Sequence, residues 1–555
     1  MEHNSFALIP RTTESWRQIT GSFKWQIPEL FNISEYVCDR HAQDETKVAL
    51  YYEDLFGRTT QLTFADIRRQ ANQLANAMSE LGIKPGDRFG IILPQRPETA
   101  IAHIAAYKLG AIAVPLSRLF GPEALQFRLC DSGVSVLITD ADNIQKIRDL
   151  QPSLPSLRAI LLVDGQPDDD ELDFGLSIRD LPTEWATRET KADDPAVIIY
   201  TSGTTGRPKG VLHAHRYLIG HLPGFELSHD FFPMQDDLAW TPADWAWIGG
   251  LMDVLMPTWF YGKPVLAYQQ HKFQPEQCLA IMEKYSVKNV FMPPTALRML
   301  RQVSDLTQRY QLQLRTMMSG GEALGADMLR WASEELSVQI NEIYGQTEAN
   351  YVVGNCQAVF PAVPGSMGRA YPGHSVEVID VQGNVLPPNQ LGEIAFKAEA
   401  DAVVFLGYWN NPTATQEKFK NGWICSGDLA IKDSSGSFWF KGRKDDVIIS
   451  AGYRIGPVEI EDVLGRHPSV AMCAVVGAPD QIRGEVVKAY IVLSKNYNQS
   501  TNLVAELQNF VRVQLSAYQY PRLIEFVDSL PTTTTGKVKR RVLRERSSSC
   551  RKGSE

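Results

Sequence analysis

The sequence predicts an α/β protein: a large N-terminal domain of parallel or mixed sheets flanked by helices, then a small α+β domain. Three observations carry this. Unbroken apolar runs alternate with helix-period segments over most of the first 445 residues, as a sheet covered on both faces requires. A charged stretch, GRKDD, interrupts the pattern near residue 445, and a different set of apolar segments follows it. A length of 555 residues accommodates two to four units of roughly 100–200 residues.

The elements follow in order. From Phe64 to Leu81, Ile67, Ala71, Leu74, Ala75, Met78 and Leu81 recur at helical spacing, with Gly82 as the stop and Pro85-Gly86 as a turn. RFGIIL (Arg88–Leu93) is an apolar strand, followed by a helix over about Glu98–Leu109 and the strand AIAVPL (Ala111–Leu116). VSVLIT (Val134–Thr139) and AILLV (Ala159–Val163) are two further buried strands. The acidic segment Gln166–Asp173 reads as a solvent loop. Past residue 445, MCAVVGAPD, VVKAYIVL and a helix near Leu503–Leu515 form the small unit.

Composition excludes several function classes. Hydrophobic residues make up 44% and charged residues 21%, which rules out a disordered chain. A net charge of -9 argues against nucleic-acid binding. The exception is local: from Lys537 to Lys552 there are eight Lys or Arg and one acid, Glu545. Seven cysteines form no CxxC pair, which fits a reducing cytoplasm without disulfides or structural zinc. The N-terminus, MEHNSFALIP, has no signal-peptide pattern. The most apolar stretch, Trp245–Tyr261, contains Asp253 and Pro257 and reads as a buried helix rather than a membrane span. His213 and His215 alternate along a strand with no carboxylate or thiol at ligand spacing.

The strongest motif is Thr201-Ser-Gly-Thr-Thr-Gly-Arg-Pro-Lys-Gly210, directly after the strand AVIIY (Ala196–Tyr200). Gly203 and Gly206 let the backbone approach an anion. Thr201, Ser202, Thr204 and Thr205 offer hydroxyls, and Lys209 offers a charge. Backbone N–H groups and hydroxyls concentrated after a strand make a phosphate cradle. No GK[ST] closes it, so it is not the common nucleotide P-loop.

This motif resembles the phosphate loop of the adenylate-forming (AMP-binding) enzymes, the superfamily of acyl-CoA synthetases, peptide-synthetase adenylation domains and luciferases. Five more motifs match in order: SGGEAL (Ser319–Leu324), EIYGQTE (Glu342–Glu348), GWICSGDLA (Gly422–Ala430), GRKDDVIISAGYRIGPVEIE (Gly442–Glu461) and PTTTTGKVKRR (Pro531–Arg541). The resemblance implies an AMP-binding N-terminal domain over 1–443, a hinge at 444–446 and a mobile C-terminal domain over 447–555 carrying a catalytic lysine. It also implies a two-step ligase reaction: a carboxylic acid and ATP give acyl-AMP and pyrophosphate, then CoA displaces AMP. ATP, Mg²⁺ and coenzyme A are the implied cofactors.

The resemblance assigns roles residue by residue. Lys537 would reach the carboxylate and the α-phosphate. Glu348 would hold Mg²⁺, which suits a carboxylate beside phosphate oxygens, and Thr347 would contact the α-phosphate. Gly321, Glu322, Ala323, Glu342, Tyr344, Gly345 and Gln346 belong to the segments around the nucleotide. Asp428 and Arg443 would meet the ribose, and Arg454 a phosphate, for which its planar fork is suited. Asp445 matches the hinge. Gly452 and Arg512 match CoA contacts; Ala451 replaces a serine found in some acetyl-CoA synthetases. His467 matches a cation site of that subfamily. Lys537 also resembles the lysine that protein acetyltransferases modify in acyl-CoA synthetases. Arg544, Arg546 and Lys552 read as solvated basic surface.

Acetyl-specific relatives carry Trp where this chain has Gly345, so the resemblance implies a wider acyl pocket, bordered by Trp247. A short- to medium-chain, branched or aryl acid is expected, with acetate as the alternative. A stand-alone enzyme loading a carrier protein and a nucleotide-binding regulator are the other readings. Retained Lys537, Glu348 and Asp428 argue against the regulator.

Overall fold

Strand and helix signals resolve into three sheets. The computed structural model describes residues 7–549, except 13, 202–206, 271, 323, 400, 451–452, 481–482, 496, 516–518 and 534–535. The apolar runs of the sequence form one eight-stranded sheet. Arg88–Ile92 lies at its centre, parallel to Ile112–Pro115 on one side and Val134–Thr139 on the other. Ala159–Leu162 and Leu172–Asp173 continue it in parallel outward. On the other side Pro195–Thr201 pairs parallel with Ile112–Pro115 and then antiparallel with Lys209–Ala214. Every residue of Val134–Thr139 is buried, as a strand covered on both faces should be.

The helix Phe64–Glu80 begins where its sequence supplies a capping box. Thr63 Oγ1 accepts from the Asp66 amide at 3.1 Å, and Asp66 Oδ2 accepts from the Thr63 amide at 2.9 Å. Pro97–Leu109 is buried on nearly all sides and ends on Gly110 in the left-handed conformation, which glycine adopts without penalty.

A fourteen-stranded sheet carries the YGQTE and SGD motifs. Ile340–Gln346 runs parallel to Thr316–Gly320 and antiparallel to Ala349–Gly354. Trp423–Lys432 and Ser437–Arg443 form an adjacent antiparallel pair. A short turn, Lys444–Asp446, then leads into a separate sheet of Ile448–Ser450, Tyr453–Ile455, Val470–Asp480, Gly484–Leu493 and Leu523–Phe526. Its core gathers Ile448, Ile460, Val475, Ile491 and Leu507.

Three local readings are revised. The Trp245–Tyr261 stretch becomes helical only at Ile248, and it widens into a π turn over Leu251–Leu255 before Met256–Phe260. Within Gln166–Asp173, Leu172–Asp173 is a short edge strand, and the Glu171 side chain is buried against Arg148 at 2.8 Å. Arg544 is not solvated surface: its Nη1 donates to the Asp445 carbonyl at 2.7 Å and to Asp446 Oδ1 at 2.8 Å. Arg546 donates to Glu525, and Lys552 lies outside the described residues. No helix among them is long and apolar enough to cross a membrane.

Gly220, inside the buried helix Tyr217–Ser228, is where the chain segment around Val403 crosses. A Cβ there would stand 2.4 Å from the Val403 amide nitrogen. That segment leads to Phe405, whose amide donates to the Glu348 carbonyl at 3.0 Å. Gly220→Ala should therefore cost about 1–3 kcal/mol, as overpacking does. A melting temperature equal to that of the unmodified chain would contradict this close approach.

Candidate active site

A cavity of about 1940 Å³ is lined by residues of both the large sheets and the small domain. The ends of several strands supply its polar wall. At its base is Asp428, buried on the Trp423–Lys432 strand. Its Oδ2 accepts from Tyr344 Oη at 2.7 Å and from Gln346 Nε2 at 2.7 Å. Its Oδ1 lies 3.0 Å from Arg443 Nη1 and receives no hydrogen bond among the described residues. Tyr344 thus presents its hydroxyl to Asp428, and Asp428 raises the phenol pKa further above its ordinary value, after burial.

Glu348 is buried in the turn between the strands Ile340–Gln346 and Ala349–Gly354. Its Oε1 accepts from Tyr408 Oη and lies 3.7 Å from Lys418 Nζ. Its Oε2 has no partner among the described residues. A carboxylate oxygen left open on a cavity wall fits Mg²⁺, which takes one or two carboxylates and keeps several waters. Thr347 and Gln346 line the cavity beside it. Lys209 Nζ sits 4.9 Å from the centre of the Tyr408 ring, and Thr201 also lines the cavity. Ser202, Gly203, Thr204, Thr205 and Gly206 lie outside the described residues, as do Ala323, Ala451 and Gly452.

On the opposite wall, Gly321 adopts a φ of +94°. A Cβ on Gly321 would lie 3.8 Å from Lys537 Nζ, so the small domain delivers this ammonium to the SGGEAL segment. Lys537 follows Gly536 in a tight hairpin, with the Lys537 amide donating to Thr533 Oγ1 at 3.1 Å and Gly536 at a φ of +85°. Glu322 is engaged by Arg298 at 2.8 Å and by Thr295 at 3.2 Å. Glu342 lines the cavity close to Asp462 of the small domain.

Some expected residues stand elsewhere. Arg512 does not line this cavity; its guanidinium lies 5.7 Å from the Tyr520 ring. Arg454 lies on the Tyr453–Ile455 strand, and its side chain is outside the description. Asp445 is exposed in the turn that Arg544 holds. His467, by contrast, does line the cavity, with Nδ1 2.7 Å from Ser469 Oγ and Nε2 3.2 Å from Glu506. Both rings of the His213–His215 pair are buried, His213 stacked on Tyr217 at 3.6 Å.

Gly345 requires a correction. It lines the cavity, but the missing indole leaves no void in its Cβ direction. A Cβ there would stand 2.5 Å from the Tyr351 amide nitrogen and 2.7 Å from Asn350 Cα. The returning Ala349–Gly354 strand fills the position. Sequence reasoning also missed Tyr408, Lys418 and Asn350, which carry no motif of their own.

The profile of the AMP-binding enzyme family matches residues 38–409, and that of its C-terminal domain matches 459–537. The chain belongs to the AMP-binding enzyme family. It is 35% identical to an acetyl-coenzyme A synthetase of Bacillus subtilis (strain 168), over 92% of this chain and 90% of that one. It is 34% identical to the human mitochondrial acyl-coenzyme A synthetase ACSM4, over 94% and 91%. Among solved structures, an anthranilate CoA ligase in complex with anthranoyl-AMP superposes with a TM-score of 0.86 at 28% identity, covering 94% of this chain and 98% of that one. This AMP-binding enzyme is an ATP-dependent acid–CoA ligase that forms an acyl-AMP intermediate and uses ATP, Mg²⁺ and CoA.

Two outcomes follow from this geometry. Gly345→Trp should lower kcat/KM for acetate, butyrate and octanoate alike, because the indole meets backbone rather than an open pocket. A selective gain for acetate would show that the hairpin yields. The second concerns Glu342, whose carboxyl is pushed up to about 8, first by burial and then by Asp462. With its ordinary value at 4.5, the closed structure holds a proton that the open chain releases as pH rises, so stability falls through pH 8. The melting temperature of Glu342→Gln should fall less between pH 6 and 9 than that of the unmodified enzyme; parallel curves would rule out this group.

Proposed function

We propose that this ligase activates a compact carboxylic acid, short- to medium-chain or aryl, with Lys537 as the catalytic group of the adenylation step. The observation that carries the reading is the convergence of Lys537, Asp428 and Glu348 on one cavity from two domains. Attack of a carboxylate on a phosphate joins two anions, so a preorganised cation where charge accumulates lowers the barrier. Lys537 supplies that cation at the Gly321 wall. Asp428, with an oxygen left open, would accept from the ribose hydroxyls, and Arg443 would support it. Glu348 would hold Mg²⁺, which neutralises phosphate charge when bound. Thr201, Lys209 and the loop between them would receive the phosphates, and Lys444–Asp446 would be the hinge.

The apolar side of the cavity includes Trp247, Ile248 and Phe291, with Trp247 packed edge-on against Phe120 at 5.6 Å. These apolar side chains suit a hydrocarbon chain or a ring. The similar anthranilate CoA ligase, by its name, takes an aryl acid. Acetate is the second reading, favoured by the acetyl-coenzyme A synthetase relative and by the filled space at Gly345. Carrier-protein loading gains no support from relatives named for coenzyme A.

Acid-dependent AMP release with CoA, across C2–C10, branched and aromatic acids, tests the substrate class. Lys537→Ala should lower acid-dependent pyrophosphate release by about 100- to 1,000-fold, the loss of one preorganised charge. Thioester formation from supplied acyl-AMP should stay near the unmodified rate. Acetylation of Lys537 by a protein acetyltransferase removes the same charge and should reproduce the same split. Equal loss in both half-reactions would overturn the assignment.

A further inference from the structure

The most apolar stretch of the chain contains one acid, and the structure buries it in the cavity wall. Asp253 is 3% exposed, while Leu251, Met252, Val254 and Leu255 beside it are at most 1% exposed. It sits on the π turn Leu251–Leu255, a rare geometry that recurs at functional sites. Asp253 and Asn350 both line the cavity.

The partners of Asp253 are few. Oδ1 accepts from Asn350 Nδ2 at 2.6 Å. Oδ2 has no hydrogen-bond partner among the described residues. No Lys or Arg nitrogen among them comes within salt-bridge distance; the nearest nitrogen of a basic side chain is His221 Nε2, at 3.8 Å. That imidazole supplies no charge. Its Nδ1 donates to the Tyr217 carbonyl at 2.7 Å, and burial pushes its pKa down to about 3. Nε2 is then an acceptor, 3.2 Å from Asn350 Nδ2. Burial also drives the Asp253 carboxyl well above the usual carboxylate range, the mark of a charge without a cationic partner.

A buried carboxyl with half its capacity unused costs stability. A leucine would pack the same wall without that cost. We infer that Asp253 is a specificity-determining residue: the substrate acid carries a second polar group, an amine or a hydroxyl, that donates a hydrogen bond to its open oxygen. Asn350 is a positioning residue that fixes the other oxygen. An ammonium would supply the cationic partner that Asp253 lacks, whereas a hydroxyl would supply a neutral donor. This inference rests on the acid–CoA ligase reading and narrows its substrate class.

The test uses matched acids with the full-length enzyme and CoA: butyrate against 3-aminobutyrate, 4-aminobutyrate and 3-hydroxybutyrate, and benzoate against its amino and hydroxy derivatives. The readout is kcat/KM for acid-dependent AMP release. At least one donor-bearing acid should exceed its unsubstituted counterpart by about 10- to 150-fold, the range of a hydrogen bond to a charged group. Amino and hydroxy members of each set tell the two donors apart. In Asp253→Leu that ratio should collapse toward one or invert. The comparison in the unmodified enzyme needs no variant, so it decides the question even if Asp253→Leu misfolds. Unsubstituted acids preferred throughout, or a ratio unchanged by Asp253→Leu, would overturn the role of Asp253 while leaving the ligase reading intact. No AMP release with any acid would overturn both.

Discussion

The site depends on one buried carboxylate. Asp428 takes hydrogen bonds from Tyr344 and Gln346 on one strand and faces Arg443 on another. It therefore ties the YGQTE hairpin to the strand that leaves the large domain. Arg443 is the last residue before the Lys444–Asp446 turn. Breaking this cluster would free a buried charge, which is costly. It would also loosen the point from which the small domain is hung. Nucleotide contacts and domain placement thus share one electrostatic support.

The turn itself is held from the far end of the chain. Arg544 grips the Asp445 carbonyl and Asp446, and Arg540 reaches Glu461 at 2.6 Å and Asp446 at 3.6 Å. These arginines lie on the helix Arg540–Ser549, three and seven residues after the lysine that enters the cavity. The segment that presents Lys537 is the one that fixes the turn. Lys441 and Glu459, 2.7 Å apart, bridge the two sides once more. A movement of the small domain would have to renegotiate the Lys441–Glu459 contact while Arg544, which sits within that domain, travels with it.

Much of this was legible in the sequence, and the gaps have physical causes. Val134–Thr139 and the helix read over Phe64–Leu81 announced themselves because an unbroken apolar run and helical spacing are local properties. Lys537, Asp428 and Glu348 were singled out by the resemblance of their motifs to a known family, and the structure brings all three to one cavity. Gly345 misled because a missing side chain does not say what fills its place; the backbone of Asn350 and Tyr351 does, through a strand pairing that periodicity cannot report. Arg544 misled because a run of basic residues looks the same whether it faces water or a turn about a hundred residues away in sequence. Tyr408 and Lys418, which approach Glu348, arrive from a segment with no pattern of its own.

Asp253 falls between these cases. Its charge inside an apolar stretch was visible, but its meaning was not, because a single acid there could as well have faced solvent. The π turn settles the matter by shifting the phase of the helix. Asp253 and its apolar neighbours are all buried, on more than one face. Asn350 meets it because the Ala349–Gly354 strand folds back over Ile340–Gln346, the same hairpin that closes the space beside Gly345 and carries Glu348 at its turn. One reversal of chain direction thus places a carboxylate suited to a metal ion and supplies the amide that orients a second, uncompensated carboxyl. The polar features of this pocket are then products of backbone topology, set by where two strands turn rather than by any one side chain.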